Sequence, residues 1–211
     1  MKRRQVLAAL GIAVAALSLG GCKIVSIEQD VSDAAANAFS ATAYAQDLWA
    51  SRAMPYFTEN AHPVDEVLDA IAADLDAAGT GYGYRPADEG SPWSFVVRGT
   101  GTVVTKNTKS RAGSLVVATD AAPGHQVTIQ IGPVVRGNTL RDALPFVSFK
   151  DFTNQLEFAD VGTAITALAM SGVAPNVDAI AEGTPVSFLG TMSLNSKSDK
   201  IVITPVSLES Q

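Results

Sequence analysis

Phe95-Val96-Val97-Arg98-Gly99-Thr100-Gly101-Thr102-Val103-Val104-Thr105-Lys106 is the stretch that decides the fold. It is rich in β-branched residues and contains no proline, so it reads as a single long strand. Gly99 and Gly101 interrupt it at the middle, where glycine in a strand marks a bend or a bulge. Downstream, Gly113 to Thr119 and His125 to Ile131 read as two more strands. In the latter, Val127, Ile129 and Ile131 alternate with Gln126, Thr128 and Gln130. The intervening segments, Asn107 to Ala112 and Asp120 to Gly124, carry turn residues. Two further strands, Pro185 to Leu194 and Lys200 to Leu208, flank the polar turn Asn195 to Asp199.

Between the third and fourth strands lies a crossover, Ile131 to Phe158. Gly132-Pro133 stops the strand, and Asn138 is placed to cap a short helix from Thr139 to Leu144 that Pro145 ends. Phe146 to Phe149 reads as extended, and Asp151 as the cap of the next helix. That helix carries two apolar stripes, Phe152, Leu156, Ala159 and Phe158, Val161, Ile165, Leu168. Three strands, a helical connection and two strands give an α+β chain. The order matches an OB-like five-stranded Greek-key β-barrel with a helical N-terminal region, the alternative being a small antiparallel β-sandwich with helices.

Upstream of the strands the chain is acidic. Twelve acids between Glu28 and Glu89 face only Arg52 and Arg85. Ser32 or Asp33 can cap a helix from Ala34 to Met54, which Pro55 ends. His62-Pro63 opens a second helix with Val64, Val67, Leu68, Ile71 and Leu75 on one face. Asp65, Glu66, Asp69, Asp74 and Asp76 lie on the other, read as a solvated surface. Gly79 to Pro86 reads as a connecting loop, without the Gly-Lys-Ser/Thr of a phosphate loop.

The N-terminus has Lys2, Arg3 and Arg4, an apolar run from Val6 to Leu19, and Leu19-Gly20-Gly21-Cys22. This is a signal peptide whose run is short for a permanent span. The final tetrapeptide resembles a lipobox, in which cleavage leaves an acylated Cys22 as the first residue. Cys22 is the single cysteine, so no internal disulfide forms, and acylation protects an otherwise free thiol. Removal of the leader takes the formal charge from −6 to −9. Arg3-Arg4 leaves both the general and the twin-arginine export routes open. The expected organisation is a leader over 1–21, a tether and acidic helical region over 22–90, and the β domain over 91–211, packed together with 22–90 as one unit.

Several strings, Ser110-Arg111-Ala112-Gly113, Gln130 to Gly137, Leu140 to Phe146, Asp151 to Gln155 and Ile203 to Val206, resemble a family of predicted bacterial periplasmic lipoproteins, domain of unknown function 2291. The resemblance spans nearly the whole mature chain and brings no catalytic residues with it. It implies lipid anchoring to a bacterial membrane, inner or outer, and sugar ABC transporter components as a class of partner.

Catalysis has little support in the residues. The two histidines, His62 and His125, stand before a helix-opening proline and at a strand start, and no nucleophile-elbow string accompanies them. No metal set and no cofactor motif is present in the sequence. Asp142, Asp151 and Glu157 are the remaining carboxylates for a hydrolase. A binding reading rests on the two loops that border the ligand face of an OB-fold. They hold Lys106, Asn107, Lys109, Arg111, Asn195, Lys197 and Lys200, with Arg136, Arg141, Asp142, Asn154 and Gln155 in the crossover as secondary candidates. The acidic balance and the aromatic-free second and third strands exclude nucleic acid. A sugar or small anion is the expected ligand, and the acidic helix from Val64 to Asp76 the docking surface if the protein instead assembles on a transporter. Cys22→Ser is expected to abolish incorporation of radiolabelled palmitate and to release the protein from the membrane fraction.

Overall fold

The computed structural model describes residues 39–86, 90–122 and 124–211. The leader, Cys22 and the expected caps Ser32 and Asp33 lie outside them. The first described helix, α1 (Ala41–Leu48), is capped by Ser40, whose hydroxyl accepts from the Ala43 amide at 3.2 Å. One π-helical turn, Trp49–Ala53, leads directly into α2 (Met54–Glu59). Pro55 therefore does not end the helix. It sits in the first turn of α2, where its missing N–H costs least. The Met54 amide already bonds the Trp49 carbonyl, a π spacing that takes the backbone off the α ladder before the proline.

The short strand β1 (His62–Pro63) precedes α3 (Val64–Ala73), which buries Val64, Val67, Leu68 and Ile71 as its periodicity predicts. Asp74 then turns to extended backbone, and its carboxylate accepts from the Ala77 amide at 2.8 Å to start α4 (Leu75–Tyr82). Of the glycines expected in a loop, Gly79 and Gly81 are thus helical, and Gly83 opens a short strand. Gly79 allows the helix to lie on the Trp93 indole, where a Cβ would come within 2.2 Å of the ring.

The sheet consists of β1, β2 (Gly83–Tyr84), β3 (Trp93–Asn107), β4 (Ser114–Thr119), β5 (Gln126–Gln130), β6 (Pro185–Leu194) and β7 (Val202–Ser210). Strand β3 pairs antiparallel with β6 from Trp93 to Thr102 and with β4 from Gly101 to Asn107. Strand β4 continues to β5, β5 runs parallel to β7, and β7 returns antiparallel to β6. The pairings therefore form a cycle, β3-β4-β5-β7-β6-β3. The pairing runs unbroken through Gly99 and Gly101, where a bend or bulge was expected, and the register shift falls instead between Val103 and Thr105.

The crossover carries α5 (Thr139–Asp142), a 3-10 turn (Phe149–Asp151) and α6 (Gln155–Val177). Asn138 makes no side-chain cap on α5. Phe146 to Phe149 is not a strand, because Ser148 and Asp151 form a reciprocal capping box around the 3-10 turn. Asn154, rather than Asp151, caps α6 by accepting from the Glu157 amide at 2.9 Å. Val161 and Ile165 are buried on α6, but Leu156, expected in its apolar stripe, is 75% exposed.

Two apolar clusters hold these elements. One joins α3 to the inward side chains of the sheet, with Val67, Phe95, Leu115, Ile129, Met192 and Ile203 among them. The other joins α1, α2, α5 and α6 through Leu48, Phe57, Leu140, Leu144 and Ile165, with Val96 and Val206 from the sheet. Where β3 changes partners, a Cβ on Gly101 would lie 2.2 Å from the Ala118 carbonyl oxygen. Gly101→Ala is expected to destabilise the fold by roughly 1–3 kcal/mol, as overpacking does. Gly81, in α4 with open space around it, is the control. Gly81→Ala is expected to stabilise by about 0.5–1 kcal/mol, and urea midpoints of the two variants should therefore move in opposite directions.

Candidate functional site

The basic rim expected from the sequence divides by what each side chain touches. Lys106 Nζ donates to the Val177 and Ile180 carbonyls at 2.6 and 2.7 Å, closing the C-terminal end of α6. Lys197 Nζ donates to the Ala73 carbonyl at 3.2 Å at the end of α3. Both ammonium groups therefore serve helix C-termini, where carbonyls lack intrahelical partners. Asn107 accepts from the Lys109 amide within its turn, where Lys109 and Arg111 are exposed, and Asn195 is exposed in the turn between β6 and β7. Lys200 alone of this set lines a large cleft.

That cleft, of about 520 Å³, lies over the outer face of β4, β5 and β7. Ser114 and Gln130 face one another across the β4–β5 register, and Thr128 sits opposite Val202 on β7. Ser110, Ala112, Gly113 and Lys200 form its rim, Ser193 of β6 joins its wall, and the crossover roofs it with Arg136, Gly137 and Thr139. Gly137 has a φ of 83°, a left-handed turn that suits glycine and aims the chain back over the sheet. The lining includes the cations Arg136 and Lys200 and no carboxylate.

Gln130 ties the roof to the floor. Its amide nitrogen donates to the Arg136 carbonyl at 3.1 Å and the Thr204 hydroxyl at 2.9 Å, while its oxygen accepts from the Arg136 amide at 2.8 Å. It is consequently buried, although strand alternation alone puts it on the solvent side. Ser114, Thr128, Thr139 and Ser193 were not among the expected site residues. For Ser114, Thr128 and Ser193 the signal was a small hydroxyl side chain on a strand, while Thr139, which opens α5, gave none.

The other crossover candidates separate from this cleft. Arg141 is buried, and its Nε and Nη2 both donate to Asp142 Oδ1, at 2.9 and 2.6 Å. Its Nη1 donates to the Phe158 carbonyl at 2.9 Å, and the guanidinium stacks 3.7 Å from the Phe158 ring centroid. Asn154 is occupied as the α6 cap, and Gln155 is exposed in the first turn of that helix. Asp151 accepts from the Ser148 amide, and Glu157 from the Thr153 amide.

The acidic face is also engaged, which corrects its reading as a bare solvated surface. Asp65 accepts from the Thr119 hydroxyl and meets His125 Nδ1 at 2.9 Å, while Asp69 meets His125 Nε2 at 3.3 Å. Glu66 accepts from the Tyr82 phenol, and this hydrogen bond raises the Tyr82 pKa above its ordinary value. Asp74 caps α4, and Asp76 accepts from the Trp93 indole at 2.8 Å beside Arg85. His62 packs edge-on against Tyr82, with ring centroids 5.1 Å apart. Among the described residues, no group of three or more His, Cys, Asp or Glu side chains is placed to hold a metal ion.

A family model described as "Predicted periplasmic lipoprotein (DUF2291)" matches residues 12–209. The chain belongs to this family. The lipoprotein is thereby a periplasmic, lipid-anchored protein whose family has no assigned activity. No curated protein matches it. Among solved structures it is similar to an OB-fold protein from Thermotoga maritima, at a TM-score of 0.66 and 18% identity, over 83% of this chain and 100% of that one. This likeness shows an OB-type fold with mixed helices and sheet.

For the lipoprotein, Gln130→Met conserves size but leaves the Arg136 amide and carbonyl without their partner. A cost of about 1–3 kcal/mol is expected from the unpaired groups. Urea denaturation reads the loss, and faster hydrogen exchange at the Arg136 amide locates it.

Proposed function

We propose that this lipoprotein is a non-catalytic binding module that takes a small polar anion in the cleft between the crossover and the outer face of β4, β5 and β7. The observation that carries the reading is the lining itself. Arg136 and Lys200 face a cleft of about 520 Å³ that holds hydroxyl groups and no carboxylate. Neither side chain has an ion-pair partner among the described residues. An anion would receive charge-assisted hydrogen bonds from both, with Ser110, Ser114 and Thr128 completing its shell.

The cyclic strand pairing supports the finer reading of the sheet as a Greek-key OB barrel, in which this face and these loops carry the ligand. A non-catalytic role is supported by the carboxylates expected for hydrolysis. Asp142 is paired with Arg141, and Asp151 and Glu157 are spent on backbone amides. The engagement of Asp65, Glu66, Asp69 and Asp76 within the molecule weighs against the acidic helix as a docking surface. A membrane transport system, including a sugar transporter, is the setting we favour, since anchoring at Cys22 would hold the loaded module beside it.

Isothermal titration of the full chain in detergent with phosphate, sulfate and citrate tests the anion site. At least one is expected to bind, less tightly as salt rises. Arg136→Ala with Lys200→Ala is expected to weaken it by at least about tenfold, or 1.4 kcal/mol. Absence of binding by all three anions, or an unchanged affinity in the double variant, would overturn the reading.

A further inference from the structure

We propose that a second cleft, at the opposite end of α5, binds a neutral hydroxylated ring, that is, a sugar or cyclitol. This cavity of about 300 Å³ is separate from the anion cleft. Its apolar wall includes Tyr84, Phe149 and Phe158, and its polar groups include Asp142, Ser148 and Lys150.

Phe149 supplies the first argument. It is 51% exposed and makes a T-shaped contact with Phe158, with centroids 5.7 Å apart, so about half of its surface remains available at the cleft wall. The apolar C–H face of a saturated ring covers such a surface, while its hydroxyls stay free to reach the polar groups around it.

The second argument is the state of Asp142. Arg141 binds only Oδ1, leaving Oδ2 without a hydrogen-bond partner among the described residues. The pair is charge-neutral, and the guanidinium is held by the Phe158 carbonyl and ring. Asp142 is thus an oriented acceptor backed by a fixed positive charge. With its charge balanced by Arg141, Asp142 gives a ligand ammonium little net attraction, and a neutral hydroxyl donor serves it as well.

Lys150 then offers donors, and Ser148 offers a group that donates and accepts. A carboxylate ligand could use Lys150 but would be opposed by Asp142. Hydroxyl groups, which both donate and accept, satisfy the whole set. An adjoining cavity of about 180 Å³ shares Tyr84 and Ser94 and adds Tyr56, Asn60 and His62. Burial, and then the neighbouring Tyr84 phenol, raises the Tyr56 pKa, and the phenol, protonated at neutral pH as any tyrosine is, offers a hydrogen-bond donor there. The extension provides hydrogen-bonding groups for a second ring.

The full chain in a sugar-free detergent, studied by saturation-transfer NMR and calorimetry, tests this site. The probes are D-glucose, D-galactose, D-ribose and myo-inositol at millimolar concentration, with phenol, benzylamine and benzoate as comparisons. At least one polyol is expected to bind more tightly than all three comparisons. Phe149→Ala and Asp142→Asn should each weaken it by about tenfold, and Phe149→Tyr should retain it. Arg136→Ala should leave it unchanged, so that this site and the anion site fail or survive separately. Because Phe149 is exposed, its alanine variant is expected to keep the wild-type melting temperature and to decide the matter even if Asp142→Asn unfolds. The proposal is overturned if no polyol binds, if a comparison compound binds better, if Phe149→Ala binds like wild type, or if Arg136→Ala abolishes binding.

Discussion

The rest of the fold depends on one strand serving two neighbours. Strand β3 pairs with β6 through its first part and with β4 through its last, and the two pairings overlap at Gly101 and Thr102. Any strand can serve a neighbour on each edge, but closing the cycle requires β3 to coil between its two pairings, and the overlap is where its geometry is most constrained. It is also a crowded place. A Cβ on Gly99 would meet Phe188 and Val64, and one on Gly101 would meet the Ala118 backbone. Glycine is required there for space on both flanks, and the register shift at Val104 completes the turn. Once β3 is committed, β7 can close the cycle only by lying parallel to β5, and a parallel neighbour cannot be reached by a tight hairpin.

The strands were legible because alternation and punctuation are local properties. Pro185 to Leu194 has the ends that its pattern predicts, and the other main strands deviate by at most two residues. Helix ends were less legible because they turn on backbone hydrogen bonds that residue types do not determine. Pro55 reads as a stop, but the π turn before it removes the conflict. Gly79 reads as loop, but an indole more than a dozen residues later in the chain rewards the absence of a side chain.

The candidate site was half legible for a related reason. A charge at an exposed-looking position has the same sequence signature whether it is solvated or meets a distant partner. Lys106 and Lys197 look like free rim cations, yet each finds a helix end more than seventy residues away. Asp65 and Asp69 look like a wet helix face, yet His125 arrives from the β4–β5 turn. Gln130 obeys its outward alternation and is still buried, because the crossover folds back over that face. Local pattern specifies which way a side chain points, while long-range topology specifies what covers it.

The crossover is consequently more than a connection. Its roof over the cleft on β4, β5 and β7 and its wall of the aromatic cleft are joined by α5, a single helical turn pinned by buried Leu140, Ala143 and Leu144. Thr139 at one end accepts from the Thr191 hydroxyl of β6 at 2.9 Å, and Arg141–Asp142 at the other is locked to the Phe158 carbonyl. Gly162 lets α6 approach closely enough for this, since a Cβ there would lie 2.6 Å from Asn138 Oδ1. With both ends pinned, α5 has little freedom to adjust to one cleft without straining its contacts at the other. If both clefts are occupied, their ligands act on the same four-residue helix, and coupling between them would have to pass through the Thr139–Thr191 and Arg141–Phe158 contacts.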